Sequence, residues 1–536
     1  GLVFTGAVKT ESGKAHLVAP AGTTIEVPVK AGQNVNVGYY YQADFTVNGQ
    51  TVTSNSGSTS KFESSDFTAN ADGTLTITVN TLTYFTGITV GTKVPYAENI
   101  YVGADKEYKT INDALAAVRL MDRPNSERVT INVDPGDYQE MLVIDVDNVT
   151  LKNTAANPDT ALINKGVNIT ENGVRVTSYY IHGYNYFSMT DDCKYDEEVL
   201  KTNKENGYLS FENPGSGTTK NSYWNATVTV RGTGFEADGI IFENSANQYI
   251  STKEANDVVQ EWTVGGKGTR PTTAGDTSVQ NKSFVERAAA IAILGDKAYF
   301  NNCKFVGRQD TLYGASNIRA AFNKCTAMGG TDFIFGGMVA TFYKSDIMMN
   351  TSEDNNDVSY LTAAQQASGR GYLMYDCNVV STTPGVDTAS EYVSKPGYFG
   401  RPWQATTSEV AFVNTTVGVA SDGTSLVTPA GWSASLGGEA NCYEYNTKEL
   451  AGVDNSANRV AWSTVLTEPK LADGTELVPY TYTQGTDGWN PIKIDAGKVW
   501  GDVDGNGVVE ANDAALTLQY TLRPEQVTGF DSTVAN

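Results

Sequence analysis

The chain has 536 residues, 40% of them hydrophobic and 18% charged, with a formal net charge of −23. That length allows two or more domains around a large core, and that charge argues against nucleic acid, which selects basic stripes. His16 and His182 are the only histidines and the five cysteines show no metal-type pairing, so a Ser-His-Asp hydrolase and a His-rich zinc site are set aside and acid–base chemistry falls to carboxylates.

No apolar run approaches the length of a membrane span. The chain opens at Gly1-Leu2-Val3 without a signal peptide, as expected of a mature or trimmed form. Its 52 glycines and 29 tyrosines favour a loop-rich β architecture with aromatic surfaces.

Residues 1–95 alternate apolar and polar in short runs such as Thr24-Ile25-Glu26-Val27, Asn34-Val35-Asn36-Val37 and Thr74-Leu75-Thr76-Ile77-Thr78-Val79. Period-two patterning between Gly, Asn and Ser turns predicts a small antiparallel β-sandwich, read as a carbohydrate-binding module. Tyr39, Tyr40 and Tyr41 are its exposed aromatics for sugar rings, with packing in the core or along an edge as the alternative.

After Pro95-Tyr96 the pattern changes. Thr110-Ile111-Asn112-Asp113 resembles a capping box, and Ile111, Ala114, Leu115 and Val118 follow helical spacing. One amphipathic helix here would cover the open end of a strand stack. Short β-type runs follow at Val129–Val133, Val149–Leu151, Thr227–Val230 and Gly239–Phe242. Two polar excursions, 183–222 and 245–283, are too long for tight turns and are expected to flank a substrate groove.

The stretch Glu286 to Gly336 repeats itself. Phe300-Asn301-Asn302-Cys303 is answered by Phe322-Asn323-Lys324-Cys325 at a step of 22 residues, then more loosely by Phe342-Tyr343-Lys344-Ser345. A period of roughly 20 to 25 residues without long helices predicts a solenoid of parallel strands. The same step carries Asp310 to Asp332 and Arg287 to Gln309. Stacked strands lie about 4.8 Å apart, so the two carboxylates face one way on adjacent rungs, beside a cation and an amide. That is a candidate active site, and a solvated outer face is the alternative. Cys303 and Cys325 stack by the same step; a disulfide is possible in that register, and buried free thiols are the expected state.

The solenoid pattern continues through Gly371–Cys377 and Val410–Val413 to about Thr467. Boundaries follow at 96–480 for the solenoid, 481–500 for a linker and 501–536 for a tail. In that tail Asp502, Asp504, Asn506, Glu510 and Asp513 occupy loop positions 1, 3, 5, 9 and 12 of an EF-hand pattern. Gly507 supplies the sharp turn and the Val508 carbonyl a backbone ligand, so a Ca²⁺ site is expected. With Ala514-Ala515-Leu516-Thr517-Leu518 after it, the segment resembles one repeat of a dockerin, which implies a cohesin-bearing scaffold as partner. A dockerin needs two repeats, and one precedes Asn536.

Residues 97–467 resemble a pectin methylesterase. Gly136-Asp137-Tyr138-Gln139-Glu140 is similar to that family's G-x-Y-x-E segment, Gln309-Asp310-Thr311-Leu312-Tyr313 to QDTL, Asp332-Phe333-Ile334-Phe335-Gly336 to DFIFG, and Gly400-Arg401-Pro402-Trp403 to GRPW. The resemblance implies an all-β chain: a right-handed parallel β-helix, here between the N-terminal sandwich and a short EF-hand-like helical tail. It implies a secreted, extracellular bacterial enzyme, possible to anchor on a cellulosome through its tail, that demethylates pectin without a catalytic cofactor. It also implies the roles: Asp332 nucleophile, Asp310 general acid then base, Gln309 oxyanion donor, Arg401 holding Asp332, with Trp403, Tyr313 and Phe333 binding sugar. Arg287 stands where the family usually has a second oxyanion glutamine. An arginine there can donate to the oxyanion, lower the proton affinity of Asp310, or pair with a loop carboxylate. Rival readings are a pectate lyase or polygalacturonase, and a non-catalytic pectin-binding protein. A capped solenoid has no need to associate, so a monomer is expected.

Overall fold

The computed structural model describes residues 1–10, 16–57, 62–181, 222–223, 226–256, 270–351, 357–404, 406–492, 503, 509, 511–523, 527 and 530. Among them no helix is long and apolar enough to cross a membrane.

Residues 3–92 form two antiparallel sheets of five strands each. The predicted alternation is what builds them: in Thr24–Val29, Ile25, Val27 and Val29 are buried while Glu26 and Pro28 are exposed. Their inward side chains meet those of Val35, Val37, Phe45, Leu75, Ile77 and Phe85 in one apolar core. Tyr39 and Tyr40 are not exposed as expected: they are 7% and 6% accessible, and Tyr41 is half-buried. The Tyr40 hydroxyl hydrogen-bonds His16 Nδ1, and Tyr84 meets the Tyr40 and Tyr41 rings edge-on. Packing won because the strand alternation at Gly38-Tyr39-Tyr40 is interrupted and both rings find partners.

The helix is Ile111–Arg119, with Thr110 as N-cap accepting from the Asp113 N–H. Its first turn has a second cap from far along the chain. Glu140 accepts the Ile111 and Asn112 backbone N–H groups, each at 3.0 Å, so a carboxylate meets the positive end of the helix. Asp137 of the same segment takes Arg175 in a two-bond pair at 2.8 Å, and Arg175 also reaches buried Glu243 at 3.4 Å. The Gly136–Glu140 segment thus ties the helix to the first rungs. Ile111, Ala114, Leu115, Ala117 and Val118 are buried beneath it.

Three parallel sheets of eleven, nine and seven described strands follow, visited in turn on each complete rung: a parallel β-helix. Ala298–Asn301, Lys304–Val306 and Leu312–Gly314 make one rung; Arg319–Asn323, Thr326–Gly329 and Ile334–Gly336 make the next. The register is the predicted one, with Phe300 opposite Phe322 and Phe322 opposite Phe342. Their rings stack inside at 5.0 and 4.2 Å between centres, nearly parallel. Truncating one such ring to alanine would cost about 3–5 kcal/mol. Cys303 and Cys325 are buried free thiols, as expected, like Cys377 and Cys442.

The corners of a rung differ. Between the eleven- and nine-stranded sheets the chain turns on a single residue in the left-handed region: Asn302, Lys324, Lys344, Asp376, Asn414 and Asn446 have φ between 49° and 53°. The corner entering the seven-stranded sheet is variable, formed by 307–311, 330–333, 350–359 and 382–397 and, on earlier rungs, by 139–141, 179–227 and 245–290. Both long excursions therefore enter on one side, although 182–221 and 257–269 lie outside the described residues.

Residues 467–492 lie against the barrel rather than forming only a connector. Leu471, Leu477 and Tyr482 pack on Leu373, Ala411 and Val413, and the Tyr482 hydroxyl donates to Glu409 at 2.7 Å. Arg319 pairs with Asp487, so the expected linker boundary at 481 falls inside a docked segment. The tail's helix is Ala511–Leu522. Asp513 is buried on its first turn and accepts the Val503 N–H at 2.8 Å. Asp502, Asp504, Asn506, Val508 and Glu510 lie outside the described residues.

Candidate active site

The site runs along the seven-stranded sheet. Asp310 stands just before the strand Leu312–Gly314 and Asp332 just before Ile334–Gly336. Leu312 pairs with Ile334, so the aspartates share a column on adjacent rungs, as the 22-residue step predicts. Both have left-handed backbones, φ 56° and 52°. Non-glycine residues adopt this conformation at a cost of order 1–3 kcal/mol, and only where the surroundings enforce it. Here the sheet does so: the Asp310 N–H donates to the Thr331 carbonyl at 3.0 Å.

Both carboxylates are nearly buried, 5% and 7% accessible. Burial pushes the Asp310 carboxyl well above the usual range and the Asp332 charge pushes it further, while Ser222, Arg287 and Arg401 draw it back in part. Burial also raises Asp332, but Arg401 opposes this with hydrogen bonds and charge, and Lys282 adds to the opposition. The pair therefore holds its proton on Asp310 and its charge on Asp332.

Arg401 follows the strand Tyr398–Gly400, and its N–H donates to Thr362 at 3.0 Å. Its Nε and Nη2 donate to Asp332 Oδ1 and Oδ2, both at 2.6 Å. A planar fork of this kind fixes a carboxylate in orientation as well as charge. The guanidinium carbon lies 4.1 Å from the centre of the Tyr360 ring.

Gln309 is half-buried, and its carboxamide has no hydrogen-bond partner among the described residues. Arg287 forms a parallel bridge with Gln309, in the predicted register. Its Nη1 donates to Ser222 Oγ at 3.3 Å and its Nε lies 3.8 Å from Glu286 Oε1. Arg287 thus lies beside the Glu286 carboxylate, and its charge is one of those that draw the Asp310 carboxyl down.

Aromatic rings line one side. Tyr223 stacks on Tyr313 at 4.0 Å, Tyr313 lies 5.0 Å from Phe335, and Phe335 lies 6.5 Å from Trp403, which is 38% accessible. Phe333 does not join them. It is fully buried in the barrel core, because the strand's alternation after Asp332 sends it inward. Ser222, Tyr223, Lys282 and Tyr360 escaped the sequence reading. The first three end or interrupt long excursions, where no period marks them, and Tyr360 is 28 residues beyond Asp332 instead of 22. A tyrosine opening the β-type run Tyr360–Ala364 was the available signal for the last.

The pectinesterase family model matches residues 250–486. Among curated relatives, "Probable pectinesterase A" of Neosartorya fischeri is 30% identical over 262 residues, covering 49% of this chain and 63% of that protein. "Probable pectinesterase/pectinesterase inhibitor 21" of Arabidopsis thaliana is 26% identical over 337 residues, covering 60% of this chain and 42% of that protein. The chain thus spans less than two thirds of either relative's length. A pectin methylesterase crystal structure from Aspergillus niger is 21% identical with a TM-score of 0.47, covering 75% of this chain and 99% of that one. The residues that the pectinesterase family model matches, 250–486, contain Gln309, Asp310, Asp332 and Arg401.

Proposed function

We propose that the chain hydrolyses methyl esters of galacturonate units in pectin through an acyl-enzyme on Asp332. The observation that carries this reading is the division within the carboxylate pair: Asp332 gripped by Arg401, Asp310 buried and proton-holding. An ionised carboxylate beside a protonated one is the equipment for nucleophilic attack with acid assistance.

In the first half, Asp332 attacks the ester carbonyl and the Gln309 carboxamide donates to the oxyanion. The tetrahedral species collapses by breaking the bond to methoxide, which takes the Asp310 proton and leaves as methanol. An anhydride joins Asp332 to the substrate. In the second half, Asp310, now ionised, takes a proton from water while the hydroxide adds to the substrate carbonyl. The anhydride bond breaks, the galacturonic acid departs, and Asp332 and Asp310 regain their starting states. Trp403 and Tyr313 offer ring faces to the sugars beside this centre.

The reading extends to the rest of the chain as an extracellular protein whose tail binds Ca²⁺ and, with a second repeat, a cohesin. Asp513, buried and pointed at the Val503 N–H, is the described residue that fits such a loop. Calorimetric titration with Ca²⁺ should show one site, lost in Asp502→Ala.

The deciding experiment measures methanol from highly methylated pectin with the wild type and Asp332→Asn, following reducing ends and unsaturated product together. Methanol from the wild type alone, without chain cleavage, is expected. Unsaturated product or new reducing ends would favour a lyase or polygalacturonase, and pectin binding without any product would favour a non-catalytic protein.

A further inference from the structure

Tyr360 opens the strand Tyr360–Ala364, whose Thr362 pairs with Ile334 on one side and Gly400 on the other. Continuing that register sets Tyr360 in the column of Asp332, and Tyr360 pairs directly with Tyr398. Asp332, Tyr360 and Tyr398 therefore occupy successive rungs, and Arg401 belongs to the rung of Tyr398. To hold Asp332, Arg401 must reach back across the whole Tyr360 rung. Rungs about 4.8 Å apart make that span about 10 Å, a long reach for a flexible side chain.

A flat ring lies where that reach needs a guide. The Arg401 guanidinium carbon is 4.1 Å from the Tyr360 ring centre, well inside cation–π range. The ring is held in its turn: it is parallel to that of Tyr398 within 7°, at 5.4 Å between centres. Among the described residues, no hydrogen bond of the Tyr360 hydroxyl takes part in this arrangement.

We propose that Tyr360 is a positioning residue, whose ring face fixes the Arg401 guanidinium in the plane from which it forks onto Asp332. The idea rests on the esterase reading above and adds a residue that acts through Arg401 alone. Losing the ring leaves Arg401 and Asp332 in place but frees the guanidinium to swing. Turnover falls, and Asp332, less well neutralised, keeps its proton to higher pH.

The test compares wild type, Tyr360→Phe and Tyr360→Leu in methanol release, with kcat, KM and the pH profile of kcat. Tyr360→Phe should stay within about twofold of wild type, since the ring face is what counts. Tyr360→Leu should lose about tenfold in kcat with KM within about twofold, and its acidic limb should move to higher pH. If Leu does not fold, Tyr360→Met fills the space without a ring face and makes the same comparison. A raised KM with kcat and the acidic limb unmoved would overturn the proposal and make the ring a sugar platform; no change in any parameter would overturn it too. An active wild type with an unmoved limb in the ring-less variant sinks this proposal only, whereas an inactive wild type sinks the esterase reading and this with it.

Discussion

Arg401 meets Asp332 through two parallel hydrogen bonds of 2.6 Å, one to each carboxylate oxygen, from a strand two rungs further along the stack. The fork does what a point charge cannot: it sets the carboxylate plane as well as its charge. Arg401→Lys should therefore lower kcat for methanol release by about a hundredfold, in the range of a lost transition-state donor, with little change in melting temperature. Activity within threefold of wild type would mean that charge alone suffices.

Gln309 and Arg287 stand on neighbouring rungs with different commitments. The Gln309 carboxamide is unpartnered among the described residues, whereas Arg287 is engaged with Ser222 and Glu286. Gln309→Leu is expected to cost about 10²–10³ in kcat. Arg287→Ala should cost less, about fivefold to tenfold, and should move the alkaline limb to higher pH, because Arg287 now draws the Asp310 proton affinity down. A kcat within twofold of wild type for Arg287→Ala would remove it from the oxyanion site.

Asp310 carries a stability signature of its own. Its folded-state proton affinity is raised well above the unfolded one by burial and by Asp332. The folded protein then binds more protons than the unfolded one between the ordinary aspartate pKa of about 3.9 and the raised value. The associated stability is present below that window and is lost as pH rises through it. Asp310→Asn should therefore melt higher than wild type at neutral pH, with the gap closing towards pH 4, while methanol release is lost. A gap that is constant with pH, in paired thermal scans, would contradict the buried-proton account.

Glu140 belongs to a family-like segment yet sits at a helix N-terminus, not near the aspartates. Glu140→Ala strips a carboxylate from two backbone N–H groups and from the Asn112 amide. A loss of about 2 kcal/mol in denaturant unfolding is expected, with kcat unchanged. A large fall in kcat at full stability would mean that the helix end is coupled to the site.

Much of this was legible because the rung from Phe300 to Phe322 is a run of short, uninterrupted turns, so sequence distance equals spatial period. Asp310, Asp332, Gln309 and Arg287 fell out of that arithmetic. The period fails as soon as a corner lengthens: residues 350–359 delay Tyr360, and 382–397 delay Tyr398 and Arg401, which only motif resemblance recovered. Side-chain direction was the second blind spot. Phe333 looked like a neighbour of its aspartate but points inward. Tyr39 and Tyr40 looked like an exposed cluster, yet they fill interior space that a run of consecutive aromatics does not advertise. The calcium loop is an expectation that rests on ligand spacing alone: of its ligand residues only Asp513 falls among the described residues.

The left-handed corner at Asn302, Lys324 and Lys344 has the same φ on rung after rung. One extra residue there would turn the following strand's inward side chains outward, so this edge of the barrel is closed to insertion. The opposite corner, beside the aspartates, has absorbed links from 139–141 up to 179–227 without disturbing the register on either side. Growth and shortening of the chain are thereby channelled to the side on which Asp310 and Asp332 stand. The surface around the two aspartates can be rebuilt while their column keeps its place.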